Sequence, residues 1–264
     1  MSRFEGPISA LRQLPRRRAA SGAVVLGYHD LVADDVDAAG MTVGRRLFAR
    51  HLDVLADLGI EIVSLRRLVD ALAAGDPVDR LGVITFDDAL LGVLEHAVPE
   101  LSARGLTATV FTVTGHLGVE PPWWPEVQRT LTESELVALT DAGLELASHT
   151  VSHASLPILS ASQVEHELGD SRRDLELLTG GPIDLLAYPS GHHDAEVRRL
   201  AADAGYRAAF TFLNGRILGD EDPFVLPRLT MGTHMTPLRL RYHLLRSATS
   251  WPDHQLDAVG AVIP

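Results

Sequence analysis

The chain has 264 residues, a formal net charge of −12, 46% hydrophobic residues and no cysteine. The acidic balance argues against nucleic acid or an anionic membrane surface as the main partner, and the missing cysteines exclude a disulfide framework, a thiolate nucleophile and cysteine-ligated zinc. All 23 residues of the lysine/arginine class are arginine, which excludes Schiff-base chemistry and a Walker-type phosphate loop. The first 22 residues lack the apolar core of a secretory signal, and no stretch approaches the ~20 apolar residues of a spanning helix. The expectation is a cytoplasmic chain without membrane insertion.

Short apolar runs alternate with longer amphipathic ones. "AVVLGYH" (23–29) reads as a strand, and "RRLFARHLDVLADLG" (45–59) places Leu47, Phe48, His51, Leu52 and Leu55 at helical spacing. "IEIVSL" (60–65), a short helix and "LGVITF" (81–86) follow. A helical run from about Leu91 to Arg104 leads to the strand "TATVFTV" (107–113). The helix in 132–143 opens on Thr132 with Glu135 three residues on, the pattern of a capping box. "LELASH" (144–149), "IDLLAYP" (183–189) and "YRAAFTF" (206–212) continue the strand series, with helices near 160–179 and 194–204. About seven repeats of strand then helix imply an α/β fold with a mostly parallel sheet. No Gly-x-Gly-x-x-Gly turn follows the first strand, and polar residues gather at strand ends, so a single barrel-like domain is favoured over an open dinucleotide-binding sheet. Its expected span is 21–236, between an N-terminal extension, 1–20, and a C-terminal helical extension, 237–264.

The strand 81–86 ends on two adjacent carboxylates, Asp87 and Asp88, and "ASHTVSHASL" (147–156) carries His149 and His153 four apart. One helical turn would present both imidazoles on one face. Two imidazoles and a carboxylate form a set that suits zinc, and equally iron, cobalt or nickel. Asp88 can complete that triad while Asp87 stays off the metal as a general base for its water. The bland account of the two aspartates is a helix cap, which explains one of them but not both.

The order "TFDD", "SHTVSH", "AYPSG" resembles the polysaccharide deacetylases with the NodB homology domain, carbohydrate esterase family 4, in their Tyr-Pro-x-Gly branch. The resemblance runs from "VVLGYHDLV" near residue 24 to "VLPRLTM" ending at 231. It implies a distorted (β/α)7 barrel that removes the acetyl group of an N-acetylated sugar with a divalent metal, zinc first, with cobalt or nickel as alternatives. It implies Asp87 as catalytic base, Asp88, His149 and His153 as metal ligands, and Thr150 as a loop-stiffening residue. Ser190 falls where a backbone N–H binds the oxyanion, beside Tyr188 as a substrate-side residue.

Three positions depart from the family pattern. Ala89 replaces the glycine that follows the aspartates, so the turn is expected to manage without positive φ or to shift. Ala187 stands where many members carry the arginine that orients the base, and Arg228 is the candidate replacement. The late Leu-x-His of the general acid is missing; His234 is the first candidate, with His192 and His193 behind it. His29 is expected as a hydrogen-bonded floor of the site. Trp123 and Trp124 could stack on a sugar ring or plug the barrel, and "RLRYHLLR" (239–246) could dock a partner subunit in a homo-oligomer. The leading expectation is a de-N-acetylase. A homologue that binds metal or glycan without catalysis, and a hydrolase of non-sugar amides, are the alternatives.

Overall fold

The computed structural model describes residues 21–246 except 37 and 126. The expected extension 1–20 and residues 247–264 lie outside the described residues.

The first strand, β1 (Val24–Tyr28), is buried at every position, as a largely apolar run flanked on both sides by parallel neighbours should be. Two short strands, β2 (Leu31–Val32) and β3 (Val43–Gly44), pair with each other, and α1 (Arg45–Asp57) follows. α1 buries Phe48, His51, Leu52 and Leu55 as its periodicity predicts, and Val54 besides, whereas Leu47 is only partly buried. Next come β4 (Glu61–Ile62), α2 (Leu65–Ala74), β5 (Leu81–Phe86) and α3 (Val98–Ser102). The remainder runs β6 (Thr109–Thr112), α4 (Glu133–Asp141), β7 (Glu145–Ser148), α5 (Ala161–Thr179), β8 (Leu185–Ala187), α6 (Ala195–Asp203), β9 (Ala208–Phe210), β10 (Leu229–Thr230) and α7 (Pro237–Leu245). The strands form one curled sheet in the order β10-β1-β5-β6-β7-β8-β9, with β4 alongside β5, and every pair in it is parallel. This is the expected (β/α)7 barrel in a single domain.

Closure is made by a short stretch. Leu226 bridges to Phe210 beside β9, while Leu229 and Thr230 pair with Leu26 and Gly27 of β1. Residues 226–230 therefore leave one edge of the sheet and join the other. Gly82 allows β4 to crowd β5, because a Cβ there would sit 2.6 Å from Ile60 Cγ2.

Alternation along each strand divides the core. Val24, Leu26 and Tyr28 face the outer helices with Phe48, Ile84 and Phe86, whereas Val25, Val83, Phe111, Ala147, Ala187 and Phe210 fill the interior. α2 takes an unexpected place. Its Leu65, Leu68 and Val69 join the interior set, and Arg66 ion-pairs with Glu145 and Asp184 at the starts of β7 and β8. The helix therefore plugs the N-terminal end of the barrel instead of covering its outside.

Other departures are local. The expected helix 91–104 holds a π-helical turn, Val93–Ala97, ahead of α3; Pro99 has no N–H to give to the preceding turn, and the pitch changes just upstream of it. The capping box on Thr132 and Glu135 is present as read. α7 turns Leu240 and Leu244 into the main core, so its apolar face is used within its own chain. Among the described residues no helix is long and apolar enough to cross a membrane.

His51 shows how a polar group is accommodated on the buried face of α1. Its Nε2–H donates to the Met235 carbonyl at 2.5 Å, so Nδ1 accepts from the Tyr28 hydroxyl at 3.0 Å. Burial lowers its pKa to about 4. The stability of the neutral ring is therefore present above the unfolded value of 6.5 and is lost as pH falls towards 4. That loss amounts to about 3 kcal/mol at most. Thermal unfolding from pH 7 to 4 should show a flatter pH dependence for His51→Gln than for the unmodified chain; equal slopes would refute this account.

Candidate active site

The inward register of three strands delivers the polar residues to one mouth. On β5 the inward positions run Val83, Thr85, Asp87; on β7 they run Ala147, His149; on β1 they end at His29. Asp87 and Asp88 are 0% and 2% exposed and His149 is 1% exposed, so the charge lies in a dry setting.

Arg228, on the closing stretch, is the fully buried counter-charge. Its Nη1 and Nη2 donate to Oδ1 and Oδ2 of Asp87 at 2.6 and 2.8 Å. Nε donates to the Thr211 carbonyl, and Nη1 also to Thr85 Oγ1. The guanidinium lies over the rings of Phe212 and Phe111, 4.7 and 5.2 Å from their centroids. Burial alone would raise the Asp87 pKa, but Arg228 outweighs it, aided by His149 and His29, and holds the carboxyl well below the usual range. Among the described residues no guanidinium pairs with Asp88. Burial, and then the charge on Asp87, push its pKa up to about 8.

Among the described residues Asp88 Oδ1 is buried without a hydrogen-bond partner. It lies 3.5 Å from His153 Nε2 and 3.7 Å from His149 Nε2, and the three donor atoms lie within 4.8 Å of one another. His149 Nδ1–H donates to the Ala187 carbonyl at 2.8 Å, which leaves Nε2 as the free lone pair. Burial is the main cause that lowers both imidazoles, His153 to about 2, so both are neutral, as ligands must be. An orphaned carboxylate oxygen facing two neutral nitrogens fits a divalent cation.

The histidines converge through a loop, not through the helical turn expected from their spacing. Thr150 and His153 have φ of 68° and 61°, which no α-helix admits. Ser148 Oγ accepts from Thr150 N–H, and Thr150 Oγ1 accepts from His153 N–H, so Thr150 does stiffen the turn. Ala89 keeps φ at 52° despite its Cβ, so the turn does not avoid positive φ. Among the described residues six non-glycine residues have positive φ, and five of them are Asp88, Ala89, Thr150, His153 and Ser190. Left-handed backbone with a Cβ costs roughly 1–2 kcal/mol per residue, and this structure concentrates that cost at one mouth.

Three expected residues are placed differently. Tyr188 is fully buried among Leu168, Leu186 and Val197, and its hydroxyl donates to the Phe224 carbonyl; strand alternation turns its side chain away from the mouth, so it cannot be a substrate contact. His234 is exposed, with its ring against Gly232 and Arg239 bonded to its carbonyl, on the α1–α7 side of the molecule. His29 lies beside Asp87, its Nε2 4.0 Å from Asp87 Oδ2, with His149 Nε2 3.9 Å from the same oxygen. Its ring stacks on Phe212 at 5.4 Å and meets Trp124 edge-on, and burial lowers its pKa to about 4. It is packed between aromatics, and among the described residues its Nδ1 has no hydrogen-bond partner.

Trp123 stacks on His153 at 4.4 Å and 11°, so one face of the indole is already covered. Ser190 is exposed in the turn Pro189–Gly191. Gly191 permits that turn, since a Cβ there would lie 2.8 Å from Phe212 N. His192 Nδ1 bonds Ser155 Oγ, and His193 packs on Tyr188. Sequence reading missed Phe212, whose ring serves both Arg228 and His29, and the Ala187 carbonyl, which leaves no side-chain signature.

The profile described as "Polysaccharide deacetylase" matches residues 74–209, the span that holds Asp87, Asp88, His149 and His153. The chain belongs to the polysaccharide deacetylase family. It is a hydrolase of the class that acts on amide bonds of acetylated sugars. YxkH of Bacillus subtilis (strain 168), a polysaccharide deacetylase by assignment, is 24% identical over 213 residues, 80% of this chain and 72% of its own length. The fold is shared with the Streptococcus pyogenes deacetylase PplD, solved in complex with acetate, at TM-score 0.75, 23% identity and coverage of 85% and 99%. IcaB from Ammonifex degensii follows at TM-score 0.74, 22% identity and coverage of 87% and 100%.

Removing one member of a buried ion pair leaves the other charge uncompensated. Arg228→Met should therefore lower stability to urea by about 3–5 kcal/mol at neutral pH. A loss below about 1 kcal/mol would mean that the pair contributes nothing to closure.

Proposed function

We propose that the chain is a metal-dependent de-N-acetylase that hydrolyses the acetamide of an N-acetyl amino sugar in a glycan, a glycoside or a sugar-containing intermediate. The orphaned Asp88 Oδ1 facing His149 and His153, beside an Asp87 kept ionised by Arg228, is the observation that carries this reading. Asp88, His149 and His153 would hold a divalent cation, zinc first with cobalt or nickel as alternatives, which would supply Lewis acidity to the carbonyl and lower the pKa of water towards ~7.

Asp87 takes the proton of the attacking water. A carboxylate held this acidic is a weak base, so its task depends on that acidification of the water. Arg228 keeps both carboxylate oxygens in place and prevents Asp87 from sharing a proton with Asp88. Oxygen adds to the acetyl carbon, and the backbone N–H of Ser190 receives the developing oxyanion. The C–N bond then breaks, giving acetate and an amine that must be protonated as it leaves. His29 is assigned that donation in place of His234, because it alone of the two stands beside Asp87. A ring with a pKa lowered to about 4 is neutral at rest, so it carries the proton only transiently, after Asp87 has received it.

Asp87→Asn should retain stoichiometric metal and lose turnover, whereas His153→Ala should lose both, as read by metal analysis and acetate release from N-acetylated sugars. Metal binding without acetate release from any such sugar would redirect the reading to non-sugar amides. His29→Gln should slow amide hydrolysis by about 10²–10⁴ while sparing an activated aryl acetate, whose leaving group needs no proton. His234→Gln should match the unmodified enzyme on both, and the reverse outcome would return the acid role to His234.

A further inference from the structure

The loop that carries the two histidines has hydrogen-bonding groups on both sides, and each side is met by a different element. Its outer carbonyls, those of Thr150 and Val151, accept from the N–H groups of Thr114 and Gly115 at 3.1 and 2.8 Å. Its N–H groups point the other way, towards α5. Glu167 Oε2 accepts from Val151 N–H at 2.8 Å and from Ser152 N–H at 2.9 Å, while Ser152 Oγ donates to Oε1. Glu167 is only 7% exposed, and all of these bonds are spent on the segment between His149 and His153. One turn further along α5, Ser171 Oγ contacts Ser148 Oγ at 2.8 Å and donates to the Glu167 carbonyl at 2.8 Å. Ser148 Oγ in turn receives Thr150 N–H. Residues four apart on a helix share a face, so one face of α5 fixes both ends of the turn.

We propose that Glu167, seconded by Ser171, is a positioning residue that sets the separation and aim of His149 and His153, and so the affinity of the metal centre. The inference rests on the metal-centre reading above. The physical need is plain: two consecutive N–H groups on a left-handed turn must be satisfied, and a charged acceptor holds them more firmly than water would. Without that acceptor, Thr150 and His153 can relax out of their positive φ, and His153 Nε2 then no longer faces Asp88. Glu167 touches neither substrate nor the reacting atoms.

The test is the zinc affinity of the metal-stripped full-length chain, measured by competition with a chromophoric chelator. The visible absorption of the cobalt-loaded form serves as the geometric readout, and the melting temperature without metal as the fold control. Glu167→Met, of similar length but without an acceptor, should bind zinc about 10–100-fold more weakly and show an altered cobalt spectrum. Glu167→Gln should recover most of the affinity, because its carbonyl can accept both N–H groups while its amide donates to Ser152 Oγ. A Glu167→Met chain that melts lower yet binds zinc as tightly as the unmodified protein, with an unchanged spectrum, would overturn the proposal. If Glu167→Met does not fold, Ser152→Ala decides: about threefold weaker binding supports the role, and unchanged affinity refutes it. Failure of the unmodified chain to bind zinc, cobalt or nickel would instead overturn the centre itself and this proposal with it, a result distinct from selective loss in the variants.

Discussion

The buried pair of Asp87 and Arg228 is the constraint on which the rest of the site depends. Each charge would be untenable alone where both are 0% exposed. Replacing such a pair with apolar residues is often neutral for stability, so its retention here is better explained by placement than by energy. The guanidinium ties the end of β5 to the closing stretch 226–230, to Thr85 and to the carbonyl of Thr211 beyond β9. Barrel closure and the charge state of Asp87 are therefore one interaction. Asp88, without a share in that guanidinium, is the carboxylate left wanting a cation.

The second constraint is conformational. Three of the loops at the mouth contain residues held in left-handed backbone despite their side chains: Asp88 and Ala89, Thr150 and His153, and Ser190. The surrounding structure over-determines these angles. Leu131 N–H fixes the Ala89 carbonyl at 2.8 Å, Thr114 and Gly115 hold the histidine loop, and the close approach of Phe212 leaves no room for a Cβ at Gly191. The aromatics do similar work for side chains, with Trp123 flat against His153 and Phe212 flat against His29.

Much of this was legible in the sequence because apolar runs in a parallel sheet are buried on both faces and leave a plain signal. The strand ends therefore named Asp87, Asp88, His149 and His29 directly. Arg228 was legible by a different route, as the one arginine available near the last strand once Ala187 had left the usual position without a cation. Tyr188 was misread because a one-residue step in a strand reverses the face, and motif adjacency hides that parity. His234 was favoured for its place in the chain, whereas proximity to Asp87 comes from β1, more than 50 residues before the aspartates in neither motif nor spacing but in the β1–β5 register. The plug formed by α2 had no signal at all: an amphipathic helix looks the same whether it covers a barrel wall or closes its end. Ala89 shows the limit of a residue rule, since tertiary contacts impose on alanine what glycine adopts freely.

That plug has a consequence for traffic. With α2 sealing one end, and Phe111 and Phe210 filling the middle, the barrel is a blind well with a single rim, not a duct. At that rim Trp123 packs on His153, and Trp124 and Phe212 pack on His29. A long chain can lie across such an opening and lower one short appendage into it, but it can never be threaded through.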